Sequence, residues 1–175
     1  DHIPTIVLFP EASVKLLKVD NGTTLSKIAY IDGAGDEIAH DLQETGYSID
    51  IIKPENLLKA DYSSYKTVIL GIRSYNTIEN MVPLQTALLN YVHNGGKLIV
   101  QYVTNGNLKV KENGPYSFKI SRDRVTDENA EMRILDTNHA IFNSPYKIKE
   151  EDFKGWIQER GLYFASEFDK NYTPL

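Results

Sequence analysis

Lys27-Ile28-Ala29-Tyr30-Ile31-Asp32-Gly33-Ala34-Gly35-Asp36 reads as a short apolar strand running into a tight glycine-containing turn. A brief run of Ile, Ala and Tyr with no polar alternation is what a strand buried on both faces of a parallel sheet requires. Working outward, Ile38, Ala39 and Leu42 mark one face of a helix that Gly46 stops. Tyr47 to Ile52 reads as a second strand, and Pro54 opens a helical turn through Leu57 and Leu58. Thr67-Val68-Ile69-Leu70 is a third strand. Pro83 then begins the clearest helix, where Leu84, Ala87, Leu88, Tyr91 and Val92 form a stripe at helical spacing. Gly95-Gly96 ends it, and Lys97 to Tyr102 is the fourth strand. Strand, helix, strand, helix, strand at this spacing predicts a doubly wound parallel sheet.

The flanks are less regular. Thr5-Ile6-Val7-Leu8-Phe9 has the composition of a strand, and the polar stretch through Asp20-Asn21-Gly22 reads as a linker. Residues 1–26 are therefore expected to form a strand and linker arm, and residues 27–175 the α/β domain. After Thr104 the periodicity dissolves into polar, aromatic and charged segments, with one short helix expected from Glu150 to Ile157.

At 175 residues the chain is long enough for one real core, and its 41% hydrophobic and 25% charged content is ordinary for a folded domain. A net charge of -5 argues against a nucleic-acid partner, because phosphate backbones recruit basic patches. No apolar run approaches the roughly 20 residues of a membrane span. There is no cysteine, which excludes a thiolate nucleophile, disulfides and Cys-ligated zinc.

In an open parallel sheet, ligands bind beyond the carboxyl ends of the strands. Three polar loops leave those ends: 32–36, 71–77 and 101–105. They present Arg73, Ser74, Tyr75 and Asn76, then Gln101, Tyr102, Thr104 and Asn105. Amide and guanidinium groups there suit hydroxyl-rich or carboxylate ligands. The alternative, favoured by the irregularity after residue 105, is that they satisfy the backbone of that segment. Gly33-Ala34-Gly35 is no dinucleotide fingerprint, since Ile38 stands where its third glycine belongs. Gly71-Ile72-Arg73-Ser74-Tyr75 lacks the second glycine of a nucleophile elbow. His2, His40, His93 and His139 form no metal motif and are expected at the surface.

Two late segments are dense in charge. Ser121-Arg122-Asp123-Arg124-Val125-Thr126-Asp127-Glu128 alternates cations and acids, and Trp156-Ile157-Gln158-Glu159-Arg160-Gly161-Leu162-Tyr163 sets an ion pair between aromatics. Arginine and carboxylate so close favour a structural ion-pair network. The competing reading is a pocket, with Glu159 or Asp127 as the general base of a hydrolase acting on a carbohydrate.

The run from Ala29 to Asn76, with Ile31-Asp32-Gly33-Ala34-Gly35-Asp36-Glu37 and Gly71-Ile72-Arg73-Ser74-Tyr75-Asn76-Thr77, resembles a class I glutamine-amidotransferase-like domain. Asn94 to Tyr102, Ser121 to Thr126 and Gly155 to Tyr163 are similar to the version found C-terminal to PIG-L (LmbE-like) deacetylases in bacteria. Asp136-Thr137-Asn138-His139-Ala140-Ile141 is similar to an Asp-x-x-His-Pro element of the wider family, with Ala140 in place of the proline. The likeness spans about residues 27–175. It implies a flavodoxin-like, class I glutamine-amidotransferase-like α/β fold, but not the reaction: Val100-Gln101-Tyr102-Val103-Thr104 stands where the nucleophile elbow belongs. It further implies a fragment of a larger protein, with the deacetylase domain of the same polypeptide as partner and relatives that continue beyond Leu175. The zinc would sit in that other domain, whose His-x-x-Asp-Asp motif is missing here, so no cofactor is expected in this chain. A glycan is the expected ligand, at Arg73, Tyr75, Asn76, Gln101, Asn105, Arg122, Arg124, Glu159 and Arg160. The residues leave the compartment open, and the resemblance leans toward the periplasm.

Overall fold

Ile28–Ile31 (β1) and Thr67–Leu70 (β3) lie side by side at the centre of the structure, a computed structural model that describes Phe9, Ala12, residues 26–155 and residues 161–175. Both strands bury three consecutive residues, which is why their sequences show no polar alternation. Ile49–Ile51 (β2) pairs with the outer side of β1 and Lys97–Val100 (β4) with the outer side of β3. The sheet is all-parallel with order β2-β1-β3-β4. The chain thus has an α/β fold.

Helices cover the two faces with separate apolar layers. On one face Tyr30, Ile49 and Ile69 pack with Ala39 and Leu42 of Ile38–Glu44 (α1). On the other, Ala29, Ile31, Val68 and Leu70 meet Leu84, Leu88 and Tyr91 of Met81–His93 (α3), with Leu57 and Tyr62 completing the layer. Helix α3 begins two residues before Pro83. The proline sits in the first turn, where its missing N–H would have had no helical partner. Its end is set by Gly95 at φ 92°, where the N–H of Gly95 bonds Val92 O at 2.9 Å and that of Gly96 bonds Tyr91 O at 3.0 Å. The same pair of bonds closes α1 at Gly46 and Tyr47.

Strand β2 is three residues long, against the six expected from 47 to 52, because Tyr47 N–H is used to close α1. Strand β4 stops at Val100, after which Tyr102 turns back to accept from Arg73 N–H at 2.6 Å. A short helix, Ser74–Thr77 (α2), follows β3 where a loop was expected. The irregular second half contains two antiparallel pairs that the sequence pattern did not suggest. Phe118–Ile120 (β5) pairs with Ala165–Phe168 (β8), and Arg124–Val125 (β6) with Gly161–Leu162 (β7). The helix expected from Glu150 is a single 3₁₀ turn, Glu150–Phe153, with Trp156 and Ile157 outside the described residues. The strand expected at Thr5–Phe9 and most of the 1–26 arm also lie outside them.

Burial of tyrosine gives the fold a pH limit. Tyr62 is buried with its hydroxyl donating to Leu57 O at 2.6 Å, and loss of hydration pushes its pKa up to about 12. Tyr30 is raised further, by burial first and by the Asp36 carboxylate second. A tyrosine in the unfolded chain ionises near about 10, so the folded state holds these protons more tightly. Their contribution to stability is complete below the unfolded value and is lost as pH rises from about 10 toward the folded values. Alkaline titration should therefore show Tyr30 and Tyr62 ionising together with loss of the circular-dichroism signal. Ionisation of all tyrosines while the fold stays intact would contradict this.

Candidate functional site

The carboxyl ends of β1, β3 and β4 sit next to one another, and the loops leaving them are tied by side chains. Tyr30 at the centre donates from its hydroxyl to Asp36 Oδ1 and accepts from Gln101 Nε2 at 2.9 Å. Asp36 also accepts from the N–H of Ile38 at 3.0 Å and of Ile72 at 3.2 Å. One carboxylate thereby joins the β1 turn, the start of α1 and the loop after β3. Ala34 N–H donates to Ile72 O at 2.7 Å, a second tie between the same loops.

The loop after β3 is bound as closely to the loop after β4. Asn76 is buried and uses both ends of its amide: Nδ2 donates to Thr104 O at 3.2 Å and Gly106 O at 2.7 Å, and Oδ1 accepts from Thr104 N–H at 3.2 Å. Ser74 is equally buried, its hydroxyl donating to Gly71 O at 2.6 Å. Tyr75 is buried in the core, where burial raises its pKa and Gln85 is its side-chain hydrogen-bond partner. Arg73 precedes α2 at φ 57°, a left-handed conformation that costs a non-glycine residue energy. Its guanidinium is exposed and makes no salt bridge among the described residues.

Of the residues expected to bind ligand, Arg73, Tyr75, Asn76, Gln101 and Asn105 are therefore brought together at neighbouring strand ends. Both ends of the Asn76 amide and the Nε2 of Gln101 are spent on the protein itself, and Asn105 is half-buried. Arg122 and Arg124 are exposed, and among the described residues no cation or acid between 122 and 128 enters a salt bridge. Asp127 is exposed and its carboxylate accepts from Asn129 N–H at 2.9 Å in a local turn. Glu159 and Arg160 lie outside the described residues.

The segment beyond 120 does reach the sheet. Ser121 N–H bonds Phe164 O and Tyr163 N–H bonds Asp123 O, so the two late segments run together. Tyr163, at φ 62°, sets its ring 5.9 Å from that of Tyr102 just past β4. Between β4 and the late strands lies a cleft of about 480 Å³, lined by residues such as Val100, Tyr102, Asn113, Phe118, Tyr163 and Tyr172. Sequence reasoning missed it. Its only signal was the aromatic density of Tyr102, Tyr116 and Phe118 around Asn113-Gly114-Pro115.

His40 and His93 are exposed, as expected, while His139 is half-buried and its Nδ1 accepts from Ile141 N–H at 3.3 Å. His40, Asp41 and Glu44 gather their donor atoms within 4.8 Å on α1. All three are solvent-exposed, and the group reads as the solvated face of a helix. Among the described residues no helix is long and apolar enough to cross a membrane. Comparison with protein-family models, curated proteins and solved structures finds no match to this chain.

Proposed function

We propose that this chain is a non-catalytic, flavodoxin-like and class I glutamine-amidotransferase-like accessory domain of a PIG-L (LmbE-like) zinc-dependent N-deacetylase acting on acetylamino sugars. In this reading it binds glycan or packs on the catalytic domain of the same polypeptide. The carrying observation is the closed hydrogen-bond circuit at the strand ends. By the resemblance, Val100-Gln101-Tyr102-Val103-Thr104 stands where an amidotransferase carries its thiol turn; Gln101 Nε2 donates to Tyr30, and the neighbouring Ser74 hydroxyl is spent on Gly71 O. General acid–base work needs a group free to exchange a proton with a reacting atom. Here the donors and acceptors at the crevice serve to fix loops. A rigid platform beside a cleft whose described lining carries no charge suits recognition better than turnover.

The reading is tested by incubating the chain with glutamine and, separately, with N-acetylglucosamine. No ammonia and no acetate should be released above background. Release of either in proportion to protein concentration overturns it.

A further inference from the structure

We propose that the cleft between β4 and the β5–β8 pair binds a neutral acetamido sugar, with Asn113 recognising the acetamido carbonyl. This rests on the glycan-binding half of the function proposed above, and gives it a place and a ligand class. Three observations converge on it.

The first is charge. A quarter of the chain's residues are charged, yet none of the described residues lining this cleft is. Phosphate, carboxylate or ammonium groups would enter without a counter-charge, which is costly away from water. The occupant is therefore neutral. The second is the shape of the walls. Tyr102 and Tyr163 meet at 49°, and Phe118 packs on Tyr172 edge to face with centroids 5.4 Å apart. Such rings give flat apolar surface, and the tyrosines carry a polar tip beside it. A pyranose has matching chemistry, with C–H groups on its faces and hydroxyls around its edge. The cleft volume lies in the range of small-molecule sites.

The third is an orphan. Asn113 is 6% exposed, and its Nδ2 is the one buried side-chain nitrogen or oxygen among the described residues with no hydrogen-bond partner. Buried amides are nearly always paired, and an apolar side chain of this size would fill the position without that penalty. Asn113 is among the residues lining the cleft, and an acceptor from a ligand seated there would pair its orphaned donor. An amide carbonyl is the neutral group that supplies one, and it distinguishes an acetamido sugar from a simple hexose.

The test is a ¹H–¹⁵N NMR titration of the whole chain with N-acetylglucosamine, glucose and N-methylacetamide as separate probes. N-acetylglucosamine should move the Asn113 side-chain amide and the backbone amides of Tyr102 and Tyr163 in one saturating process. Glucose should bind about ten-fold more weakly, the loss of one well-placed hydrogen bond. Asn113→Leu should weaken N-acetylglucosamine by a similar factor while the unliganded melting temperature holds or rises. Tyr102→Ala, at a half-open position, should weaken both sugars alike. Shifts centred away from the cleft, or unchanged affinity in Asn113→Leu, overturn the assignment while glycan binding stands. No shifts with any probe overturn the assignment and leave the packing role.

Discussion

Gly33→Ala should prevent stable folding or lower the melting temperature by at least about 10 °C. A Cβ on Gly33 would lie 2.0 Å from Ile72 O and 2.9 Å from both Ile72 C and Ser74 Oγ. The first two are backbone atoms of the adjacent loop and have no rotamer by which to withdraw. The same Ile72 carbonyl accepts from Ala34 N–H, so displacing it breaks that tie as well as creating the clash. Overpacking against backbone belongs to the short list of changes that cost more than about 4 kcal/mol. At this chain length each ~1 kcal/mol moves Tm by roughly 2–4 °C. Thermal unfolding followed by circular dichroism measures it, and a melting temperature within about 2 °C of the parent would rule out the close approach described.

Asp36→Ala should come next, at about 3 kcal/mol, or a fall of roughly 6–12 °C in melting temperature. The change strands two donors, the hydroxyl of the fully buried Tyr30 and the N–H of Ile72, and removes the local bond to Ile38 N–H. Tyr30→Phe should cost less, since it removes a donor and leaves Asp36 two backbone partners. Because both substitutions break one circuit, the double variant should lose less than the sum of the singles. Additive losses would mean that Tyr30 and Asp36 act separately. That would weaken the view of the strand ends as a locked structural node, on which the non-catalytic reading depends.

How far these features could be read beforehand depended on the range of the interactions behind them. Strands β1 and β3 were legible because burial on both faces writes a continuous apolar run into a few adjacent residues. Helix α3 was legible because Leu84, Leu88 and Tyr91 recur at the helical period and Gly95 closes it. Strands β6 and β7 are two residues each, too short for any alternation, and find their partners some forty positions away. At the strand ends, Asn76 and Gln101 were legible as polar residues in the right place. Their commitment was not, since Gln101 meets a tyrosine 71 positions distant. The cleft was hidden for the same reason: it exists only once β5 and β8 have paired, and no local pattern records that event.

The two walls of that cleft also differ in how readily they let go. One is β4, in register with the buried β3. The other is carried by a pair of strands that joins residues 118–120 to 165–168 and is largely open to water. Closing a chain loop of that length carries an entropic cost, and little buried apolar surface offsets it. Opening of the ribbon should therefore require less free energy than unfolding of the sheet, and its amides should exchange with solvent faster than those of β1 and β3.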